Sequence, residues 1–165
     1  MGVEHLFTGS ALGTVGADGA VPLPAFVRRV LDSCGAGRMM VGAHESDLCL
    51  TAYEPGYVPV LQADIERRRL RDEALGAPAE NHHARARRAF GFVEDAQLRD
   101  GRVLLPAMMR SKGRIAQLAL FVGTGGSFEI WNPHLAREAG DEALRELAEF
   151  RLGQRGPKFK AEEDE

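Results

Sequence analysis

Cysteine is scarce in this chain: Cys34 and Cys49 are the only two among 165 residues. They form no CxxC pair and have no histidine at ligand spacing along the sequence, which argues against zinc and redox roles. Aromatic residues are also few, 7% of the total, with Trp131 the single tryptophan. Long apolar runs are missing. Gly, Pro or a charge interrupts each one well before the roughly 18–20 residues that a membrane span requires. The opening MGVEHLFTGS has no basic region followed by an apolar one, so no secretory signal is expected. The cysteines are then expected to stay reduced, in the cytoplasm. No Gly-x-Ser-x-Gly, phosphate loop, dinucleotide fingerprint or HExxH occurs. These gaps argue against an enzyme, and neither a cofactor nor a metal is expected. His44, flanked by Glu45 and Asp47, is the one acid–base grouping, and at a hairpin tip it should lack a pocket that shifts pKa values.

Positive charge is not in excess either. The net charge is −3, unfavourable for a nucleic-acid binder unless basic residues are locally concentrated. They gather at Glu66–Arg71 (ERRRLR) and Ala84–Arg88 (ARARR), while Ala161–Glu165 (AEEDE) forms an acidic tail. Such a tail lowers the net charge without touching a binding face. In the first run Asp64 and Glu66 stand at i,i+3 and i,i+4 spacing from arginines, which reads as a solvated or subunit-facing helix surface. His82 and His83 precede the second run, but adjacent helical side chains point about 100° apart and chelate poorly.

What the chain does have is an internal repeat. Asp18–Arg28 reads DGAVPLPAFVR and Asp100–Arg110 reads DGRVLLPAMMR. Asp18, Gly19, Val21, Leu23, Pro24, Ala25 and Arg28 match Asp100, Gly101, Val103, Leu105, Pro106, Ala107 and Arg110 at a constant offset. A second block follows in the same order: Met39–Pro55 (MMVGAHESDLCLTAYEP) parallels Ala119–Pro133 (ALFVGTGGSFEIWNP). Two matching blocks in one order indicate duplication.

Each copy has a physical reading. Asp-Gly is a strong tight-turn signal because Gly takes positive φ without steric cost. The turn should join Ser10–Val15 to Val21–Leu23 as a hairpin, and Gln97–Leu98 to Val103–Leu105 in the second copy. Pro24 and Pro106 sit where a helix starts, with φ preset and no donor to waste. Phe26, Val27, Val30 and Leu31 share one helical face, and the helix after Pro106 should stop at Gly113. Further hairpins are expected around His44–Asp47 and Gly123–Ser127. Between the copies, Val58, Leu61 and Ile65 mark a helix, Gly76 and Pro78 break it, and a second helix is expected over Ala79–Ala89. A last helix is expected over Asp141–Arg151, with Leu144, Leu147 and Ala148 inward. Gly153–Glu165 reads as unstructured. Tyr53 and Trp131 close the strands as core or interface aromatics. One copy alone has too few strands to close a core, so the two should interleave.

These residues resemble the MraZ family. The likeness rests on Phe7-Thr8-Gly9, Gly19, Leu23-Pro24, Gly101-Arg102, Leu105-Pro106 and Glu129-Ile130-Trp131, and it runs from Leu6 to Arg151. It implies an α+β fold, in which two tandem AbrB-type swapped-hairpin units form a double-split β-barrel with flanking helices. The units are expected at 6–55 and 92–151, joined by a helical linker at 56–91 and followed by a disordered tail at 152–165. It also implies a cytoplasmic, nucleoid-associated repressor of its own division and cell-wall gene cluster. Such a protein assembles into homo-oligomeric rings on direct repeats of double-stranded DNA upstream of the operon, and has no membrane association. An arginine projecting from a rigid hairpin suits this task, since it pairs bidentately with guanine O6 and N7.

The first turn departs from the family pattern. Gly16-Ala17-Asp18-Gly19-Ala20 stands where the family has Asp at 16, commonly Lys at 18, and Arg at 20. Asp18, Gly19 and Ala20 therefore form a degenerate loop that has lost positive charge. The second turn keeps its arginine, is one residue shorter, and supplies the candidate DNA-binding residues Arg99, Asp100, Gly101 and Arg102. For Arg102 the alternative is a solvated turn residue. Arg28 and Arg110, repeated in both helices, read as structural, pairing with a carboxylate or a helix end. The rival to a DNA-binding regulator is an oligomeric protein-interaction module that kept the fold and lost DNA binding.

Overall fold

The computed structural model describes residues 5–154. Eight strands occur: β1 (Ser10–Thr14), β2 (Ala20–Pro22), β3 (Arg38–Ala43), β4 (Leu50–Tyr53), β5 (Val93–Arg99), β6 (Arg102–Leu104), β7 (Leu118–Gly123) and β8 (Phe128–Trp131). The helices are α1 (Ala25–Ser33), α2 (Val58–Ala74), α3 (Ala79–Ala86), α4 (Ala107–Lys112), α5 (Pro133–Ala139) and α6 (Glu142–Gly153). All strand pairing is antiparallel in one sheet of order β1-β7-β8-β4-β3-β5-β6-β2. The edge strands β1 and β2 meet near the first turn, where a Cβ on Gly13 would lie 3.2 Å from Val21. The sheet thus curls into a nearly closed double-split barrel with helices around it, the α+β architecture expected.

The pairing follows the duplication. β1 pairs with β7 of the second copy, and β5 pairs with β3 of the first. On the pseudo-twofold axis Val21 faces its own counterpart Val103, with Ala20 opposite Leu104 and Pro22 opposite Arg102. The axis emerges again where Thr51 faces Glu129, between the Leu50–Ile130 and Ala52–Phe128 pairs. The hairpins β3–β4 and β7–β8 stay within their copies, as expected.

One expected hairpin does not form. β5 and β6 pair across their turn, with Leu98 opposite Val103 and Arg99 opposite Arg102. β1 and β2 share no ladder, and between their ends the Gly16 N–H to Ala20 carbonyl bond closes the turn. Pro22 removes one donor from a three-residue strand, whereas its counterpart Leu104 keeps its N–H.

Pro24 and Pro106 precede α1 and α4 in extended conformation, as N-caps. Val27, Val30 and Leu31 of α1 are buried, and Phe26 packs against the same core. Phe7, Phe121 and Phe128 fill the centre, with Phe7 and Phe128 ring centroids 4.8 Å apart. Tyr53 and Trp131 are both 3% exposed. A second cluster, containing Leu120, Trp131, Ala136 and Ala148, seats α5 and α6 on the outside of the barrel. There Ala148 is buried, while Leu144 and Leu147 are half-buried.

Three helical stretches differ from the sequence reading. The stretch after Ala86 continues as a π turn over Arg87–Gly91 instead of regular helix. α5 was not foreseen; Asn132 caps it by accepting from the His134 and Leu135 amides, and Pro133 occupies the first turn. α6 reaches Gly153, so the first residues of the expected tail are helical. The acidic AEEDE segment lies outside the described residues. No helix among the described residues is long and apolar enough to cross a membrane.

Candidate nucleic-acid interface

Local sequence sets the two turns. Asp100 and Gly101 both have positive φ, 53° and 74°, so Arg99–Arg102 form a two-residue primed turn whose twist matches its flanking strands. Asp tolerates this region and Gly takes it freely. Arg99 and Arg102 consequently stand directly opposite each other, a like-charge pairing that normally costs stability. Both are exposed.

The first turn is one residue longer, as the sequence suggests. Gly16 donates to the Ala20 carbonyl and Gly19 to the Gly16 carbonyl, each at 2.9 Å. Gly19 has φ 88°. The Asp18 carboxylate folds back and accepts the Ala20 amide at 3.0 Å.

The turns brace each other across the axis. Leu23 N–H donates to the Gly101 carbonyl at 2.9 Å, and Leu105 N–H donates to the Gly19 carbonyl at 3.1 Å. Each turn therefore lies beside the helix start of the other copy, at opposite ends of the β2–β6 ladder. Three residue pairs at ~3.3 Å each place them roughly 10 Å apart along the strands.

This arrangement places Arg28 and Arg110 where spacing did not foresee. Among the described residues neither pairs with a carboxylate. Arg110 Nε donates to the Leu105 carbonyl at 3.2 Å and its guanidinium lies against Gly19, where a Cβ would sit 2.8 Å from Nε. Arg28 borders Gly101 more loosely, 3.7 Å from a Cβ built there. The available signal was an arginine four residues after the helix-starting proline in both copies, although only a swapped topology brings it to the opposite turn.

The basic runs behave differently. Arg67 bonds Asp64 at 2.8 Å, Arg69 bonds Glu66 at 2.6 Å, Arg85 bonds Asp72 at 3.0 Å, and Arg68 grips both Glu45 oxygens at 2.8 Å. Arg88 donates to the Glu45 carbonyl. Exposed pairs of this kind add little stability, yet they offset the charge of Arg67, Arg68, Arg69 and Arg85. Among the described residues, no ion pair involves Arg28, Arg99, Arg102 or Arg110.

The hairpin tip holds a surprise. A cavity of about 230 Å³ opens beside His44, lined also by Tyr53, Tyr57, Arg68 and Arg85, so the tip does not lack a pocket. β3–β4 folds back so that His44, Cys49 and Glu129 bring ligand atoms within 4.8 Å of one another. Likewise Cys34 Sγ lies 3.4 Å from His5 Nδ1. Spacing along the chain was thus a poor guide to histidine partners, because both contacts are made by folding.

The bonding around His44 does not suit a metal. Its Nδ1 accepts the Ser46 and Asp47 amides at 3.1 and 3.0 Å. That leaves the proton on Nε2, 3.2 Å from Glu129 Oε2, where a ligand would need its lone pair. The Glu129 hydrogen bond raises the His44 pKa above its ordinary value, burial opposing. Burial pushes Glu129 up, but its bonds from His44 and from Trp131 Nε1, the latter 2.9 Å long, hold its pKa below the ordinary value. Burial drives the Cys49 thiol well above its usual range, so it keeps its proton. The cluster ties the first copy's hairpin to β8 of the second.

No protein-family model matches the chain. Individual relatives do. A "Transcriptional regulator MraZ" from Nitrosococcus oceani is 30% identical over 154 residues, covering 87% of this chain and 97% of its own length. Proteins of the same name from Saccharophagus degradans and Pseudomonas syringae pv. tomato are 34% and 29% identical, each over 77% of this chain and over 82% and 80% of their own lengths. With similarity spread over nearly the whole of the first of these relatives, and with a duplicated turn-and-helix frame braced about a pseudo-twofold axis, the chain belongs to the MraZ family.

Proposed function

We propose that this protein is a transcriptional regulator that binds double-stranded DNA, with Arg102 reading bases and Arg99 holding phosphate beside the Asp100–Gly101 turn. The observation that carries this reading is a contrast between arginines. Arg67, Arg68, Arg69 and Arg85 of the linker are held by carboxylates, while Arg28, Arg99, Arg102 and Arg110 around the turns have no ion-pair partner among the described residues. A rigid primed turn presenting two such cations fits the geometry of groove and backbone contact. The relatives are named transcriptional regulators, which supports the regulator part of this reading. In the family pattern such a protein represses its own division and cell-wall gene cluster, in the nucleoid, as a homo-oligomeric ring on direct repeats. Repetition of a weak single site around a ring raises the total affinity. No enzymatic role is proposed.

The test is fluorescence anisotropy on a duplex of the DNA just upstream of the gene against a scrambled duplex, across a salt series. Wild type should prefer the upstream duplex, and Arg102→Ala should cost about 1–3 kcal/mol there and reduce that preference. Equal binding to both duplexes, unchanged by Arg102→Ala, would overturn the reading in favour of an interaction module.

A further inference from the structure

The first turn lacks an arginine of its own, since Ala20 occupies the position equivalent to Arg102. A cation nevertheless stands beside it. Arg110, from the helix of the other copy, lays its guanidinium over Gly19, with Nε and Cζ 2.8 and 2.9 Å from where a Cβ would be. Its Nε is spent on the Leu105 carbonyl, which fixes the plane of the group. That carbonyl belongs to the residue whose amide bonds Gly19, so Arg110 and the turn are anchored to one residue. The two terminal nitrogens have no hydrogen-bond or ion-pair partner among the described residues, and the side chain is half-buried, hence held in place. Asp18, the one acidic group of the turn, is bonded to the Ala20 amide.

We propose that Arg110 supplies, from the second copy, the phosphate-binding charge that the first turn's own sequence lacks, so that both turns engage DNA. The contact is to backbone phosphate. A guanidinium fixed at one nitrogen and open at two presents a forked donor pair to an anion, and Arg110 sits behind the turn instead of projecting from its tip. Arg28 stands in the corresponding place beside Gly101, where Arg102 already provides charge. The first turn is therefore asymmetric in sequence yet not deprived of a cation. The inference rests on the DNA-binding reading above.

The test uses the full chain on the same two duplexes. Arg110→Gln keeps an amide donor for the Leu105 carbonyl and removes the charge. It should weaken binding to both duplexes alike and lower the salt slope of log K by about 0.9, the value for one lost phosphate contact. Arg110→Lys should keep the wild-type slope, and Ala20→Arg added to Arg110→Gln should restore it. A slope unchanged in Arg110→Gln, while Arg102→Ala still reduces binding, would overturn this inference and leave the DNA-binding reading intact. Equal slope losses in the Gln and Lys variants would also overturn it, because charge would then not be the cause. Wild type that fails to prefer the upstream duplex would remove the DNA-binding reading and this inference with it.

Discussion

Gly19 and Gly101 occupy equivalent positions in the two copies, and replacing each by alanine should have unequal effects. Both have positive φ, 88° and 74°, so each alanine carries the left-handed penalty of about 1–2 kcal/mol. At Gly101 the new methyl meets nothing closer than Arg28 at 3.7 Å, and the penalty ends there. At Gly19 it would lie 2.8 Å from Arg110 Nε and 3.2 Å from the Leu105 carbonyl. The guanidinium must leave, and its hydrogen bond to Leu105 goes with it, a loss of about 1 kcal/mol. Gly19→Ala should therefore destabilise by about 2–3 kcal/mol and Gly101→Ala by about 1–2 kcal/mol. Urea denaturation of both variants at one protein concentration measures the difference directly. Equal losses, or the larger loss at Gly101, would refute the claim that Arg110 is seated on the first turn.

Two other consequences are open to measurement. The folded-state pKa of His44 is raised by Glu129. Its contribution should therefore be complete below about pH 6.5 and fade as pH rises through the raised value; wild type should lose stability relative to His44→Gln on that rise, and a pH-independent gap in paired denaturation curves would contradict it. A thiol reagent should label Cys34, which is exposed, and leave Cys49, which is 2% exposed with its proton retained, until the protein unfolds; prompt labelling of both thiols in native buffer would contradict that burial.

Much of the frame can be read from local signals. Asp-Gly marked both turns, Pro24 and Pro106 marked two helix starts, and apolar spacing marked the buried face of α1. Helix α5 was missed although Asn132-Pro133 is a legitimate cap followed by a first-turn proline. Strand partnership was a different matter. Nothing local to Ser10–Thr14 says that its ladder lies with Leu118–Val122, because apolar strands of similar length compete equally in a linear reading. The same limit hid Arg110 and the meeting of His44, Cys49 and Glu129. Each is a contact between copies, and the sequence shows copies as parallel texts, not as a crossed pair.

The exchange of β1 onto β7 also has a temporal meaning. Ser10 is paired with Val122, and ribosomes deliver roughly 5–20 residues per second. The first strand made must wait on the order of ten seconds before its ladder partner exists, with an unsatisfied edge in the interval. Contacts of such long sequence separation also slow the folding step itself. The nascent first half is thus the moment of greatest exposure to chaperones and to strand exchange with a neighbouring chain.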